Sequence, residues 1–308
     1  MSTRELVVLG TASQVPTRYR NHNGYLMLWD DRGLLFDPGE GVQRQMILAG
    51  VASGRITRIL ITHFHGDHCL GLPGVLQRIS LDGVPHPVTV HYPDSGQRFF
   101  DRLRHASIYR DNATIISEPV STAGVVHQDR AFTIEARQLS HSAPTWGWQV
   151  REPDGHAFVP QRLADHGLTG PAVGVLRREG IVVADGREVR LEDVSVARPG
   201  QSMAFIMDTR LCDAAFELAV GVDMLVCEAT YAQSEAREAH DHGHLTAAQA
   251  GRIAAEGGVN TLVLTHFSQR YRNTDQHVRE ARAVFDGRVI AAEDLLRVPM
   301  PRRGARPR

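Results

Sequence analysis

Residues 62–68 read Thr-His-Phe-His-Gly-Asp-His, which puts four metal-ligand side chains, His63, His65, Asp67 and His68, directly after the apolar run Ile59-Leu60-Ile61. His63 and His65 are one residue apart, so in an extended turn both rings face one point. Gly66 lets the chain fold back and bring Asp67 and His68 to the same place. Imidazole and carboxylate in one loop suit zinc or a similar divalent ion with positions open to water. A solvated histidine-rich loop is the plain alternative, and the density of ligands at a strand end weighs against it. One loop does not complete two metal spheres. Three more candidates stand at the ends of other apolar runs: His141 after Leu139-Ser140, Asp208 after Ala204-Phe205-Ile206-Met207, and His266 after Leu262-Val263-Leu264-Thr265. Each alone reads equally as a satisfied buried histidine or an Asp opening a turn. Together they make seven ligands, a set that suits two metals sharing one carboxylate, and two ions about 3.5–4 Å apart clamp the oxygens of a phosphoryl displacement.

The elements that must deliver these side chains are short. Residues 6–9, 25–29, 34–36, 59–61, 88–91, 204–207, 224–226 and 262–264 each predict a buried strand, most of them ending at Gly, Pro, Asp or Thr-His. Helices are predicted over 41–49, 95–106 and 246–255, the last with Thr246 as N-cap and Gly257 as stop. Mixed strands and helices make the fold class α/β or α+β, in layers. Residues 59–64 echo 262–267, both an apolar strand ending in Thr-His-Phe. Two related halves meeting at those ends would bring the histidines together, and chance similarity of two strand-to-loop junctions is the alternative. Residues 151–200 differ in texture, with Pro153, Pro160, Pro171 and Pro199 among many glycines and charges. They read as an insertion projecting from the core, with a short helix begun by Pro160 and ended by Gly167. The segment 301–308, with four arginines, reads as a disordered basic tail.

Bulk properties narrow the setting. With 308 residues and 42% apolar content the chain can build one large core or two intimately packed halves. A formal net charge of −1 means that any nucleic-acid site is a local patch. All 34 basic residues are arginine, which suits phosphate recognition. Cys69, Cys212 and Cys227 are odd in number and irregularly spaced, so no disulfide framework is expected and a reducing, intracellular compartment is. Arg4 and Glu5 interrupt any signal sequence, and no apolar run approaches the roughly 20 residues of a membrane span. A cytoplasmic protein without membrane attachment is the expectation.

The run from His63 to His68, followed by Cys69-Leu70-Gly71-Leu72-Pro73-Gly74, resembles the signature of the ribonuclease Z family within the metallo-β-lactamase superfamily. Similar to the same family are Phe36-Asp37-Pro38-Gly39-Glu40-Gly41, the Asp208-Thr209-Arg210 turn, Cys227-Glu228-Ala229-Thr230-Tyr231 and Thr265-His266-Phe267-Ser268-Gln269-Arg270-Tyr271, so the likeness runs from the first strand to about residue 294. It implies a single domain over 1–308, a four-layer αβ/βα metallo-β-lactamase sandwich with a projecting flexible arm at about 151–200. It implies two Zn2+ per chain, with His63, His65, His141 and Asp208 on one and Asp67, His68, Asp208 and His266 on the other. It implies removal of the 3′ trailer from precursor tRNA, leaving a 3′-hydroxyl on the tRNA and a 5′-phosphate on the trailer, and a homodimer in which one subunit's arm holds tRNA cut by the other. The chain departs from the family pattern at Met207 (usually Gly), Cys227 (usually His) and Leu245 (usually Ser), and Trp146-Gly147-Trp148 stands where Phe-Gly-Tyr is common.

For such a reaction Asp67 is the candidate to orient the attacking water and accept its proton. The leaving ribose oxygen needs a proton in turn. His244 is the candidate donor and Glu228 the group to hold it, as the resemblance also implies; one more exposed histidine in the run 240–244 is the alternative. RNA contact is expected from Arg18, Arg20 and Asn21, with Tyr19 able to stack on a base, although an ordinary solvated loop fits those residues as well. The second expected contact is the arm, where Gly170-Pro171 precedes Arg177-Arg178 and resembles the family's tRNA-gripping arm. Two other functions compete: a hydrolase of the same fold acting on a small phosphodiester, sulfate ester or lactone, and a non-catalytic RNA-binding protein that kept the fold. A projecting arm that carries Arg177-Arg178 argues against the first, and the full ligand set against the second.

Overall fold

The structure, a computed structural model, describes residues 4–303. Its first half runs β1 (Arg4–Gly10), β2 (Gly24–Trp29), β3 (Arg32–Phe36), α1 (Val42–Leu48), β4 (Ile56–Leu60), α2 (Gly66–Cys69), α3 (Leu72–Leu81), β5 (Val88–Pro93), α4 (Gln97–Arg104) and β6 (Ile115–Val120). Next come β7 (Gly124–Gln128), β8 (Thr133–Leu139) and β9 (Thr145–Arg151), then a smaller unit of β10 (Gly155–Phe158), α5 (Pro160–Asp165), α6 (Pro171–Glu179), β11 (Ile181–Ala184), β12 (Arg187–Arg190) and β13 (Ser195–Arg198). The chain then returns through β14 (Ser202–Ile206), α7 (Asp213–Ala219), β15 (Met224–Glu228), α8 (Ala236–His242), α9 (Ala247–Glu256), β16 (Thr261–Thr265), α10 (Asp275–Arg282), β17 (Arg288–Ala291) and β18 (Arg297–Pro299).

Two seven-stranded mixed sheets result, one in the order β18-β1-β2-β3-β4-β5-β6 and the other β17-β16-β15-β14-β9-β8-β7. The apolar runs look continuous in sequence because both faces of each sheet are covered. Along β2, Tyr25, Met27 and Trp29 face the other sheet while Leu26 and Leu28 face helices. Likewise Met224 and Val226 of β15 point into the gap between sheets, and Leu225 and Cys227 point at α7 and α9. Period-two alternation thus sorts one apolar strand into two cores, and the layers are αβ/βα. Phe205 anchors the central core, stacked on Phe36 at 4.6 Å and edge-on to Tyr25 at 5.2 Å, contacts worth about 0.5–1.5 kcal/mol each beyond their buried area.

All eight predicted strands and all three predicted helices form. Thr246 caps α9 with a capping box to Gln249, a feature worth about 1 kcal/mol. Residues 155–198 fold around a small core of their own, Leu168, Leu176, Val189 and Val194, and the short helix begun by Pro160 is α5. Most of the basic tail, from 304 onward, lies outside the described residues. Its start is tied down, because Arg303 pairs with Glu152 and donates to the Pro199 carbonyl at 3.1 Å. Among the described residues no helix is long and apolar enough to cross a membrane.

Candidate metal centre

Parallel strands place their carboxyl ends on one edge of each sheet, which is where open α/β sheets collect functional groups. Here Asp37 follows β3, His63 follows β4, His141 follows β8, Asp208 follows β14, Glu228 ends β15 and His266 follows β16. The two Thr-His-Phe strand ends therefore meet from opposite sheets. Asp208 stands between them and uses its two oxygens differently. Its Oδ2 lies 3.6 Å from His63 Nε2 and 3.6 Å from His141 Nε2, and its Oδ1 lies 3.3 Å from His68 Nε2 and 3.2 Å from His266 Nε2. His65 Nδ1 closes the first group at 3.3 Å from His141 Nε2. Asp67 Oδ2 closes the second, 3.3 Å from His68 and 3.5 Å from His266. All seven predicted ligands converge.

Three of these atoms, His63 Nε2, His266 Nε2 and Asp208 Oδ1, are buried without a hydrogen-bond partner although they crowd one another. The ligand-atom separations of 3.2–3.6 Å lie near the roughly 3.3 Å edge of a tetrahedron with metal–nitrogen distances near 2.0–2.1 Å. Atoms aimed at a common point rather than at each other are what a divalent metal site requires. The far ring nitrogens of four of the five histidines are held by partners outside the ligand set. His63 Nδ1 meets the Thr62 hydroxyl at 3.0 Å, His68 Nδ1 meets Asp37 Oδ2 at 2.8 Å, His141 Nδ1 donates to the Gly243 carbonyl at 2.8 Å, and His266 Nδ1 meets the Thr230 hydroxyl at 2.8 Å. Such partners fix ring orientation and tautomer. Gly243 is required twice over, by its φ of 78° and because a Cβ there would come within 2.7 Å of His141 Nδ1. Asp37, Asp208 and His266 sit at φ 44°, 37° and 59°, left-handed backbone stored at the site.

Burial opposes charge on every group here, and neighbours decide the outcome. On His68 burial lowers proton affinity, but Asp208, Asp67 and Asp37 outweigh it and hold the imidazole well above its ordinary value. Burial beside charged His68 pushes His63 well below its ordinary value. Asp208 and Asp67 are held ionised against burial, Asp208 chiefly by His266 and His68 and Asp67 chiefly by His68. The carboxylates thus demand positive charge at this point and draw a proton onto His68. A divalent cation satisfies the same demand, in competition with that proton.

His244 stands beside the ligands rather than among the seven. Its Nδ1 is 3.1 Å from Glu228 Oε2, and Glu228 is fully buried. Burial opposes its charge, yet Glu228 and Asp208 raise its pKa to about 9. Glu228 is itself fixed by the Thr209 backbone N–H at 2.7 Å and the Thr230 hydroxyl at 2.6 Å. Asp37 and Thr230 received no role from the sequence. Their motifs were visible, but which ring each one holds is decided by the fold. The site opens into a cavity of about 760 Å³ walled by Gln14, His65, Asp67, His141, His244 and Arg270, among others. Met207, Cys227 and Leu245 point instead into the hydrophobic cores, so these departures alter packing and leave the wall unchanged.

The expected RNA contacts are spread out. Arg18 and Tyr19 are exposed. Arg20 lies over the Phe267 ring at 5.2 Å and donates to the Tyr271 carbonyl at 2.9 Å, and the Asn21 side chain donates to the Glu40 carbonyl at 2.8 Å. Those two brace the loop that carries Arg18. Gly170 and Pro171 begin α6, and Arg177 and Arg178 are exposed in its last turn.

Residues 17–196 match the family model of the metallo-β-lactamase superfamily. A ribonuclease Z of Streptomyces avermitilis is 58% identical over 98% of this chain and 100% of its own length. One from Chlamydia muridarum is 45% identical over 98% of this chain and 99% of its own. The human short-form tRNase Z crystal structure superposes with a TM-score of 0.70 at 24% identity, covering 97% of this chain and all of that one, and so shares the fold.

Proposed function

The chain belongs to the ribonuclease Z family of the metallo-β-lactamase superfamily, and from that premise we propose a two-zinc endoribonuclease that removes the 3′ trailer of precursor tRNA and leaves a 3′-hydroxyl on the tRNA and a 5′-phosphate on the trailer. The observation that carries the chemistry is Asp208, whose two oxygens face two separate histidine groups. His63, His65, His141 and Asp208 would hold one ion, and Asp67, His68, Asp208 and His266 the other. When bound, the pair supplies Lewis acidity to the phosphoryl oxygens and lowers the pKa of water to about 7. Asp67, ionised and fixed by the Gln14 N–H at 2.8 Å, orients the attacking water and takes its proton; its low proton affinity favours the orienting half of that role. His244, its Nδ1 held 3.1 Å from Glu228 Oε2, is the group that delivers a proton to the ribose oxygen. The chain is read as one domain with an arm at 151–200, and Arg18, Arg177 and Arg178 are the exposed cations offered to RNA phosphates, with Arg20, Asn21, Gly170 and Pro171 shaping their supports. Family membership supports a homodimer, and three free cysteines support a cytoplasmic location.

The leaving group provides the test. Changing His244 to alanine is expected to slow cleavage of precursor tRNA by about 10²–10⁴-fold, the worth of a positioned acid. Hydrolysis of a nitrophenyl phosphodiester, whose leaving group departs without a proton, should be slowed far less. Glu228→Gln should show the same asymmetry in weaker form. The measurement is the ratio of kcat/KM losses on the two substrates. Equal losses would make His244 a support of the metal site instead of the acid.

A further inference from the structure

The arm leaves and rejoins the body at one buried carboxylate. Glu152 follows β9 and is 7% exposed. Its oxygens accept from Arg4 Nη1 at 2.7 Å, Arg198 Nη2 at 3.2 Å, the Gln201 backbone N–H at 3.0 Å and the Arg303 guanidinium. These donors come from the first strand, from the last residue of the arm's returning strand, from the residue just before the strand that re-enters the body, and from Arg303 after β18. Around them Asp154 accepts the Gly200 N–H at 2.8 Å, and the Gln201 amide donates to the Pro301 carbonyl at 2.6 Å. Gly200 passes so close to the Glu152 carbonyl that a Cβ there would overlap it.

The arm has its own small core, and the substantial contacts of β10 to β13 are with one another. Among the described residues the ion pair that ties this unit to the body is Arg198–Glu152. The arm's internal fold therefore does not set its direction; the root does. A buried carboxylate ringed by guanidiniums is a poor way to gain stability, since a well-packed apolar replacement often does as well. What it provides is a set of directional bonds.

We propose that Glu152 is a positioning residue that fixes the arm's angle over the body and so delivers the arm to precursor tRNA. This rests on the reading of the arm as a tRNA grip. A second binding surface held in register acts at high effective concentration, and a loosened root lowers that concentration without touching the metal site.

The experiment compares Arg198→Ala, Glu152→Gln and a deletion of residues 168–180, each on precursor tRNA and on bis(p-nitrophenyl) phosphate. Arg198→Ala is expected to raise KM for precursor tRNA about tenfold, part of the avidity a tethered second site supplies, with kcat and small-ester hydrolysis unchanged. Arg198→Lys, whose ammonium can meet the same carboxylate, should recover part of that loss. Glu152→Gln should act in the same direction more strongly. If it unfolds, Arg198→Ala still decides, because it leaves the Arg4 pairs with Glu152 and Asp30 in place. An unchanged KM in Arg198→Ala beside a raised KM in the deletion overturns the positioning role and leaves the grip standing. No change in either overturns both. Equal losses on both substrates in Arg198→Ala also overturn the proposal, since Glu152 would then merely hold the body together.

Discussion

Replacing Asp208 with alanine is expected to remove metal from both ligand groups at once. No other side chain of the site offers one oxygen to His63 and His141 and the other to His68 and His266. Each ion contributes several kcal/mol of charge stabilisation, so kcat/KM should fall by about 10⁴-fold or more on any phosphodiester. Metal analysis should find two ions per wild-type chain and depletion of both in the variant. Stability provides a second reading. A metal present at about a thousand times its Kd adds roughly 4 kcal/mol to the folded state, so chelation should lower the Tm of the wild type and leave that of Asp208→Ala unmoved. One ion at full occupancy in the wild type would contradict the shared-carboxylate account.

The second large effect is expected at Asp67. Its carboxylate faces the cavity, is fixed by the Gln14 N–H, and is held ionised by His68 and His266. Asp67→Ala should lower kcat by at least about 10²–10⁴-fold, because it removes both the group that orients the attacking water and one proposed ligand of the second ion. Affinity for precursor tRNA should stay near that of the wild type, because the exposed cations Arg18, Arg177 and Arg178 do not line the cavity that Asp67 faces. The check is single-turnover cleavage beside equilibrium binding of the same RNA. A variant with near-normal kcat would remove Asp67 from the mechanism.

The ligand loop was legible because residues 63–68 concentrate four ligands behind one apolar strand. Asp208 and His266 were legible through their place at strand ends. What the sequence lacked was the third dimension around them. Asp37 and Thr230 each hold a ligand ring, yet a lone Asp before Pro or a lone Thr carries no sign of which ring it will meet. The left-handed backbone at Asp37, Asp208 and His266 is imposed by tertiary packing. Most strands buried on both faces stood out as apolar runs, β9 being an exception because Thr145, Gly147 and Gln149 interrupt it, whereas β6 and β8 place polar residues such as Glu118, Glu135 and Arg137 at partly or fully exposed positions and gave a weaker signal. Helix α10 escaped for the same reason, burying only His277 and Ala281. The texture of 151–200 marked a change of organisation, but not the buried carboxylate at its root, whose partners lie as far away in sequence as Arg4 and Arg303.

The most direct measurement incubates the wild-type chain with a divalent metal and a precursor tRNA bearing a 3′ trailer, and maps the cut to the nucleotide. The account predicts one cut at the junction of tRNA and trailer, a 3′-hydroxyl on the tRNA, a 5′-phosphate on the trailer, and loss of cleavage when the metal is chelated. A precursor left intact by protein that still hydrolyses small esters, or the same cut in excess chelator, would contradict it.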